Sequence, residues 1–380
     1  MIDFSLPKGL WLGRVWRSGI GPSIVTIRAG HVFDITSKAA PTMRELLEQT
    51  DIAGFVADLP GEDLGTLETF LAASIEADAD ATRMLAPCDL QAIKACGVTF
   101  ARSMVERVIE ERAAGNPDLA SDIRARVATV IGDSLRDLVP GSAKAAEVKA
   151  LLQAEGLWSQ YLEVGIGPDA EVFTKAQPMA AVGFGASVGL HPISKWNNPE
   201  PEVVLVVNSA GQIVGATLGN DVNLRDVEGR SALLLGKAKD NNAAASIGPF
   251  IRIFDDHFSL DTVRGLELSL TVTGGDGFSL HGHSSMRQIS RDPADLVAQT
   301  RGRHHQYPDG FVLYCGTMFS PVQDRDGPGQ GFTHHLGDVV TISTPELGAL
   351  TNTVRLATEA PEWHFGTGAL MRNLAARGLL

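Results

Sequence analysis

Apolar and polar positions change their period twice along this chain. Residues 10–35 alternate over short runs broken by Gly19-Ile20-Gly21-Pro22 and Arg28-Ala29-Gly30-His31, which predicts short strands joined by turns. Residues 42–50 read as a short helix, and residues 1–84 together as a small α+β N-terminal domain. From Ser103 to residue 157 the period is helical, with an attractive i,i+4 pair at Arg107 and Glu111 and a repulsive one at Glu106 and Glu110. Further helices are predicted over 118–131 and 142–155, with Gly156 as a stop. From Tyr161 on, β-branched apolar runs at 202–207, 212–218, 265–273, 310–315, 338–344 and 348–355 alternate with Gly, Asn and Asp. One helix is predicted near 292–303, capped by Asp292 with Pro293 in its first turn. The pattern predicts an α+β chain, mainly β. A larger domain at 85–380, a roll or sandwich, carries a helical insertion or lid at 103–157.

Composition narrows the partners. A formal net charge of -13 argues against nucleic acid, which is met with a basic surface. Apolar runs fall short of the roughly 20 residues of a membrane span. Three scattered cysteines fit neither a disulfide framework nor a zinc site, and no leader pattern is visible, so a cytoplasmic protein is expected. Neither a strand-linked Gly-x-Gly-x-x-Gly nor a Gly-Lys-Ser/Thr loop occurs, so nucleotide binding has no support.

The chemistry centres on Pro199-Glu200-Pro201-Glu202, which runs straight into Val-Val-Leu-Val-Val. On an extended segment residues i and i+2 share a face, so Glu200 and Glu202 project together. Adjacent carboxylates repel unless a positive charge joins them, and a hard divalent cation is the usual remedy. A second apolar run ends in Asn220-Asp221. If it pairs with the strand after Glu202, Asp221 completes a three-carboxylate set for Mg²⁺ or Mn²⁺. Lys237 and Lys239, after an apolar run and a glycine, are placed where burial lowers a lysine pKa and suits proton transfer or activation of a carbonyl. The pairs His304-His305 and His334-His335 are read as structural, because adjacent residues do not share a face.

These motifs, with Arg225-Asp226, Gly236-Lys237, Ile247-Gly248-Pro249-Phe250, Gly316-Thr317 and Leu336-Gly337-Asp338-Val339-Val340, resemble the fumarylacetoacetate hydrolase superfamily in order and spacing. The resemblance implies a β-rich catalytic roll and a Mg²⁺ or Mn²⁺ site. It implies Glu200, Glu202 and Asp221 as ligands, Glu171 and Lys237 as the catalytic pair, and Thr317, Arg225, Ser103 and Asn220 on the substrate side. It also implies a homodimer or homotetramer.

One departure changes the chemistry. Hydrolytic members carry an Asn-Tyr-x-x-His-x-x-Glu stretch whose His–Glu pair activates water. The matching stretch here is Gly97 to Glu106, with Ser103 at the histidine position. Lys94-Ala95-Cys96-Gly97-Val98-Thr99-Phe100-Ala101, Gly156-Leu157-Trp158-Ser159-Gln160-Tyr161-Leu162-Glu163, Lys237-Ala238-Lys239-Asp240-Asn241-Asn242-Ala243 and His305-Gln306-Tyr307-Pro308-Asp309-Gly310 resemble the superfamily's sugar-acid dehydratases instead. The expected activity is therefore dehydration of a small sugar acid, a 2-keto-3-deoxy-pentonate, to α-ketoglutarate semialdehyde. An acylpyruvate-type hydrolase and a non-catalytic β-sandwich binding sugars or a protein are the alternatives.

Overall fold

The computed structural model describes residues 6–78, 80–114, 116, 119, 138–154, 156, 158–319 and 321–380, without the side chains of residues 102 and 110. Sixteen strands form two sheets among these residues. They are β1 (Trp11–Arg17), β2 (Gly21–Arg28), β3 (His31–Asp34), β4 (Glu62–Thr66), β5 (Arg83–Leu85), β6 (Ala92–Gly97), β7 (Glu171–Ala176) and β8 (Ser187–Leu190). Then follow β9 (Pro201–Val207), β10 (Ile213–Asp221), β11 (Ala245–Ile253), β12 (Glu267–Thr273), β13 (Ser279–Ser285), β14 (Phe311–Tyr314), β15 (Val339–Thr344) and β16 (Gly348–Leu356). The large sheet runs β4-β3-β2-β1-β11-β10-β9-β14-β6-β7, with β5 paired to β1. The smaller one runs β13-β12-β15-β16-β8.

Strand β9 lies at the middle of the large sheet and is buried at every position. Its alternation serves two cores. Val203, Leu205 and Val207 pack with Leu268, Leu270, Val272 and Leu350 of the second sheet, which makes the sandwich. Val204 and Val206 pack on the opposite face with Leu12, Ile251 and the helix side chains Met43, Leu46, Ile52 and Val56. A strand covered on both faces is continuously apolar for this reason. Each such side chain contributes about 1.5–3 kcal/mol by burial.

The strands predicted over 10–35 and after residue 200 form, as do helices Met43–Leu47, Ala101–Arg112, Ala143–Ala154 and Pro293–Thr300. The Asp292 side chain accepts from the Ala294 N–H with Pro293 in the first turn, as the cap predicts. The helix expected at 118–131 lies outside the described residues. Residue 84 is not a break in the sheet: β1 pairs antiparallel with β11, Leu12 opposite Ile251, so the N-terminal strands extend the sheet that carries the carboxylates. Helix Thr367–Ala376 and the short helices Arg225–Glu228 and Leu235–Lys239 had no prediction. Among the described residues no helix is long and apolar enough to cross a membrane.

The helical segment makes a satellite core. Met104, Val108 and Ile109 of Ala101–Arg112 meet Leu152 of Ala143–Ala154 and Leu162 and Ile166 of Gln160–Ile166. That packing fixes which face of Ala101–Arg112 turns toward the sheet end.

Candidate metal centre

Antiparallel pairing of β9 with β10 sets Pro201 opposite Asn220 and Glu202 opposite Gly219. The Asp221 N–H donates to the Glu200 carbonyl at 3.1 Å, so Asp221 comes level with Glu200. Gly219 has no room for a side chain, because a Cβ there would strike the Tyr314 ring and Val204. The carboxylates of Glu200, Glu202 and Asp221 are all buried, and one oxygen from each lies within 4.8 Å of the others.

Two lysines approach them. Lys239 Nζ is 2.6 Å from Glu200 and 3.1 Å from Asp221. Lys175 Nζ, fully buried, is 2.9 Å from Asp221 and donates to the Lys239 carbonyl at 2.5 Å. Lys237 does not take part: it is exposed, whereas Lys239 is 2% exposed. The cause is the short helix Leu235–Lys239, on which residues two apart lie about 200° round the axis. Of the two lysines on this helix, Lys239 is the one that reaches the carboxylates.

Helix Ala101–Arg112 supplies the opposite wall. Ser103, Glu106 and Arg107, spaced three and four apart, share one face and line the cavity. Arg107 bridges Glu200 and Glu228, each at 2.8 Å. Ser103 Oγ donates to the Phe100 carbonyl at 2.8 Å, closing its own helical turn. Thr317, Phe173 and Phe319 complete the lining. Glu171 stands directly behind: it lies against Gly97, where a Cβ would overlap its carboxylate.

Two expected substrate-side residues hold up the site from behind. Asn220 is fully buried, and its Oδ1 accepts the Glu200 N–H at 3.1 Å. Arg225 is 1% exposed, stacks on Trp196 at 4.2 Å and donates to the Pro321 carbonyl at 3.1 Å. It reaches Glu106 at 3.5 Å. Its neighbour Asp226 accepts from Ser194 Oγ and the Lys195 N–H, each at 2.7 Å.

Among the described residues, Glu106, Glu171, Glu200, Glu202, Asp221 and Glu228 face Lys175, Lys239, Arg107 and Arg225, a formal surplus of two negative charges. Burial pushes the Glu202 carboxyl well above its ordinary value, and Asp221 and Glu200 push it further. Burial acts the same way on Asp221, but Lys175 and Lys239 outweigh it and hold that carboxyl low. Burial alone would discharge Lys239, yet Asp221 and Glu200 keep it charged. Lys175 has fewer carboxylates near it, and burial lowers its pKa. The Glu171 carboxyl is raised to about 7, by burial first and Glu228 second. An all-oxygen set with a deficit of two positive charges fits a hard divalent cation, and Glu200, Glu202 and Asp221 are placed to hold one.

Glu200, Glu202 and Asp221 thus form a buried carboxylate cluster flanked by lysines, with the oxygen donors that a hard cation takes. The chain belongs to the fumarylacetoacetate hydrolase family: residues 164–355 match the model described as fumarylacetoacetate (FAA) hydrolase C-terminal. It is 30% identical over 257 residues to a probable 2-keto-3-deoxyxylonate dehydratase of Haloferax volcanii, covering 67% of this chain and 84% of the relative. It is 28% identical over 185 residues to the 2-dehydro-3-deoxy-D-arabinonate dehydratase of Saccharolobus solfataricus, covering 49% of this chain and 58% of that protein. Its fold is like that of a 2-keto-3-deoxy-D-arabinonate dehydratase complexed with magnesium and 2,5-dioxopentanoate, with a TM-score of 0.63 at 20% identity over 91% of this chain and 99% of the other. Dehydratases are lyases, and the fold expectation of an α+β, mainly β roll holds.

Proposed function

We propose that the chain is a Mg²⁺-dependent hydro-lyase, with Mn²⁺ as the substitute ion, that converts a 2-keto-3-deoxy-pentonate to α-ketoglutarate semialdehyde and water. One observation carries the reading. Glu200, Glu202 and Asp221 converge beside a charged Lys239 and a Glu171 carboxyl poised near neutral pH, and no histidine is among the described residues lining the cavity. The names of the two sequence relatives support the same reaction class.

Loss of water across C3 and C4 needs a base for the C3 proton and an acid for the C4 hydroxyl. Glu171, raised to about 7, exchanges a proton at neutral pH and takes the one at C3. The same carboxyl, now protonated, delivers that proton to the C4 hydroxyl as the C4–O bond breaks and C3=C4 forms. Transfer of a proton from C5 to C3 then gives the C4=C5 enol, and return of the C5 hydroxyl proton to C4 gives the terminal aldehyde. Lys239 stays charged and stabilises the negative charge that grows at the C2 oxygen. A bound divalent cation supplies Lewis acidity to that carbonyl. Thr317 and the rings of Phe173 and Phe319 bound the space left for the sugar-acid chain. Hydrolysis of a carbon–carbon bond needs an activated water, and the Ser103 hydroxyl is spent on Phe100.

The test is the purified chain with Mg²⁺ and each C4 epimer of a 2-keto-3-deoxy-pentonate, read by oxidation of the aldehyde product with an aldehyde dehydrogenase. Aldehyde formation that stops with chelator is expected. Cleavage of an acylpyruvate with no dehydration of either epimer would overturn the proposal.

A further inference from the structure

Arg107 is a cation spent on a carboxylate that the proposed metal needs. Its Nη2 lies 2.8 Å from Glu200 Oε1 and its Nη1 lies 2.8 Å from Glu228 Oε2, while the guanidinium remains part of the cavity wall. The helix holding it is also fastened by Glu106 on Arg225 and by the Met104, Val108 and Ile109 packing. Among the described residues the carboxylates around the cavity outnumber the cations, which disfavours an anionic substrate until positive charge enters.

We propose that Arg107 is the anchor for the carboxylate of the 2-keto acid, held on Glu200 as a placeholder until a divalent cation takes that oxygen. The inference rests on the dehydratase reading above and adds an order of binding: cation first, acid second. Capture of Glu200 turns the Nη2 edge from an internal ion pair to the incoming carboxylate, while Glu228 keeps Nη1 in place. A guanidinium suits this because its planar fork serves two oxygens at fixed spacing, which an ammonium does not.

The experiment uses the full chain, Mn²⁺ as the metal probe and 2-oxobutyrate as a 2-keto acid with no C4 hydroxyl to lose. Mn²⁺ affinity is read by electron paramagnetic resonance and acid affinity by calorimetry. For the unmodified chain, Mn²⁺ should tighten 2-oxobutyrate binding by about tenfold or more, roughly 1.4 kcal/mol. In Arg107→Gln, Mn²⁺ should bind as tightly or more tightly, because a competing cation is gone. 2-Oxobutyrate should then weaken by about tenfold even with Mn²⁺ saturating. Arg107→Lys should recover part of the loss. Unchanged acid binding in Arg107→Gln overturns the inference, as does Mn²⁺ binding weakened in step with acid binding. If Arg107→Gln fails to fold, the unmodified chain still decides: acid binding indifferent to Mn²⁺ overturns the proposal. Failure of the unmodified chain to bind Mn²⁺ at all sinks the metal reading of the preceding section, a different result from either.

Discussion

Two buried acidic clusters sit in this molecule, and they are finished differently. Asp338 accepts from Arg325 through two nitrogens at 2.6 and 2.8 Å, from His334 at 3.1 Å and from the His335 N–H at 3.0 Å. Burial would raise its pKa, but the Arg325 and His334 bonds outweigh burial and hold it low. Glu202 is equally buried, yet among the described residues its carboxylate accepts from the Gly316 N–H at 2.6 Å, and its neighbours Glu200 and Asp221 are acids. A satisfied buried carboxylate is structure. One left short of positive charge is a place for something else.

The contrast predicts opposite responses to the same kind of substitution. Glu202→Gln should reduce dehydratase turnover by about a thousandfold or more, since several kcal/mol of electrophilic stabilisation go with the cation. Its stability without metal should hold or rise in a urea melt, because a neutral side chain is what burial favours there. Asp338→Asn should do the reverse. It should cost about 1.5–3 kcal/mol of stability, because Arg325 loses its buried partner and keeps only the half-exposed Asp276 at 3.1 Å. Activity per folded molecule should stay near the parent value. If both variants lose stability alike, the distinction between the clusters is wrong.

Smaller effects sharpen the comparison. Turnover should rise with pH through about 7 as Glu171 loses its proton, at a lower pH when Mg²⁺ is bound, since positive charge favours the carboxylate. Stability runs the other way. A folded-state pKa above the ordinary 4.5 means the contribution of Glu171 is complete below that value and is lost as pH rises through about 7. A pH series of urea melts on Glu171→Gln should lack that decline. Lys237→Gln should change turnover by less than about twofold and stability by less than about 0.5 kcal/mol, as expected of an exposed residue. Lys239→Gln should reduce turnover by about a hundredfold or more.

What the sequence made legible divides along physical lines. The proximity of Glu200, Glu202 and Asp221 was readable because two-residue spacing on a strand and antiparallel pairing with a neighbour are local rules, and the register brings the three together. Both lysines after Gly236 were visible, but choosing Lys239 over Lys237 needed the phase of a five-residue helix. Lys175 carried a signal that was overlooked: Glu171, Phe173 and Lys175 alternate along β7 and share a face. Arg107 and Ser103 stand at helical spacing on Ala101–Arg112, but which face meets the carboxylates depends on the satellite core. The reach of Arg225 to Glu106 joins residues over a hundred positions apart, and no periodicity announces it.

The most direct test of the central claim, that the unbalanced cluster is a cation site, is the thermal midpoint of the unmodified chain and of Glu202→Gln as Mg²⁺ is titrated. At a hundred times the dissociation constant a bound ion adds about 2.7 kcal/mol to the folded state. The unmodified chain should therefore melt several degrees higher, and Glu202→Gln should not move. A midpoint of the unmodified chain that stays flat across the titration, or that rises equally in both proteins, would contradict the account.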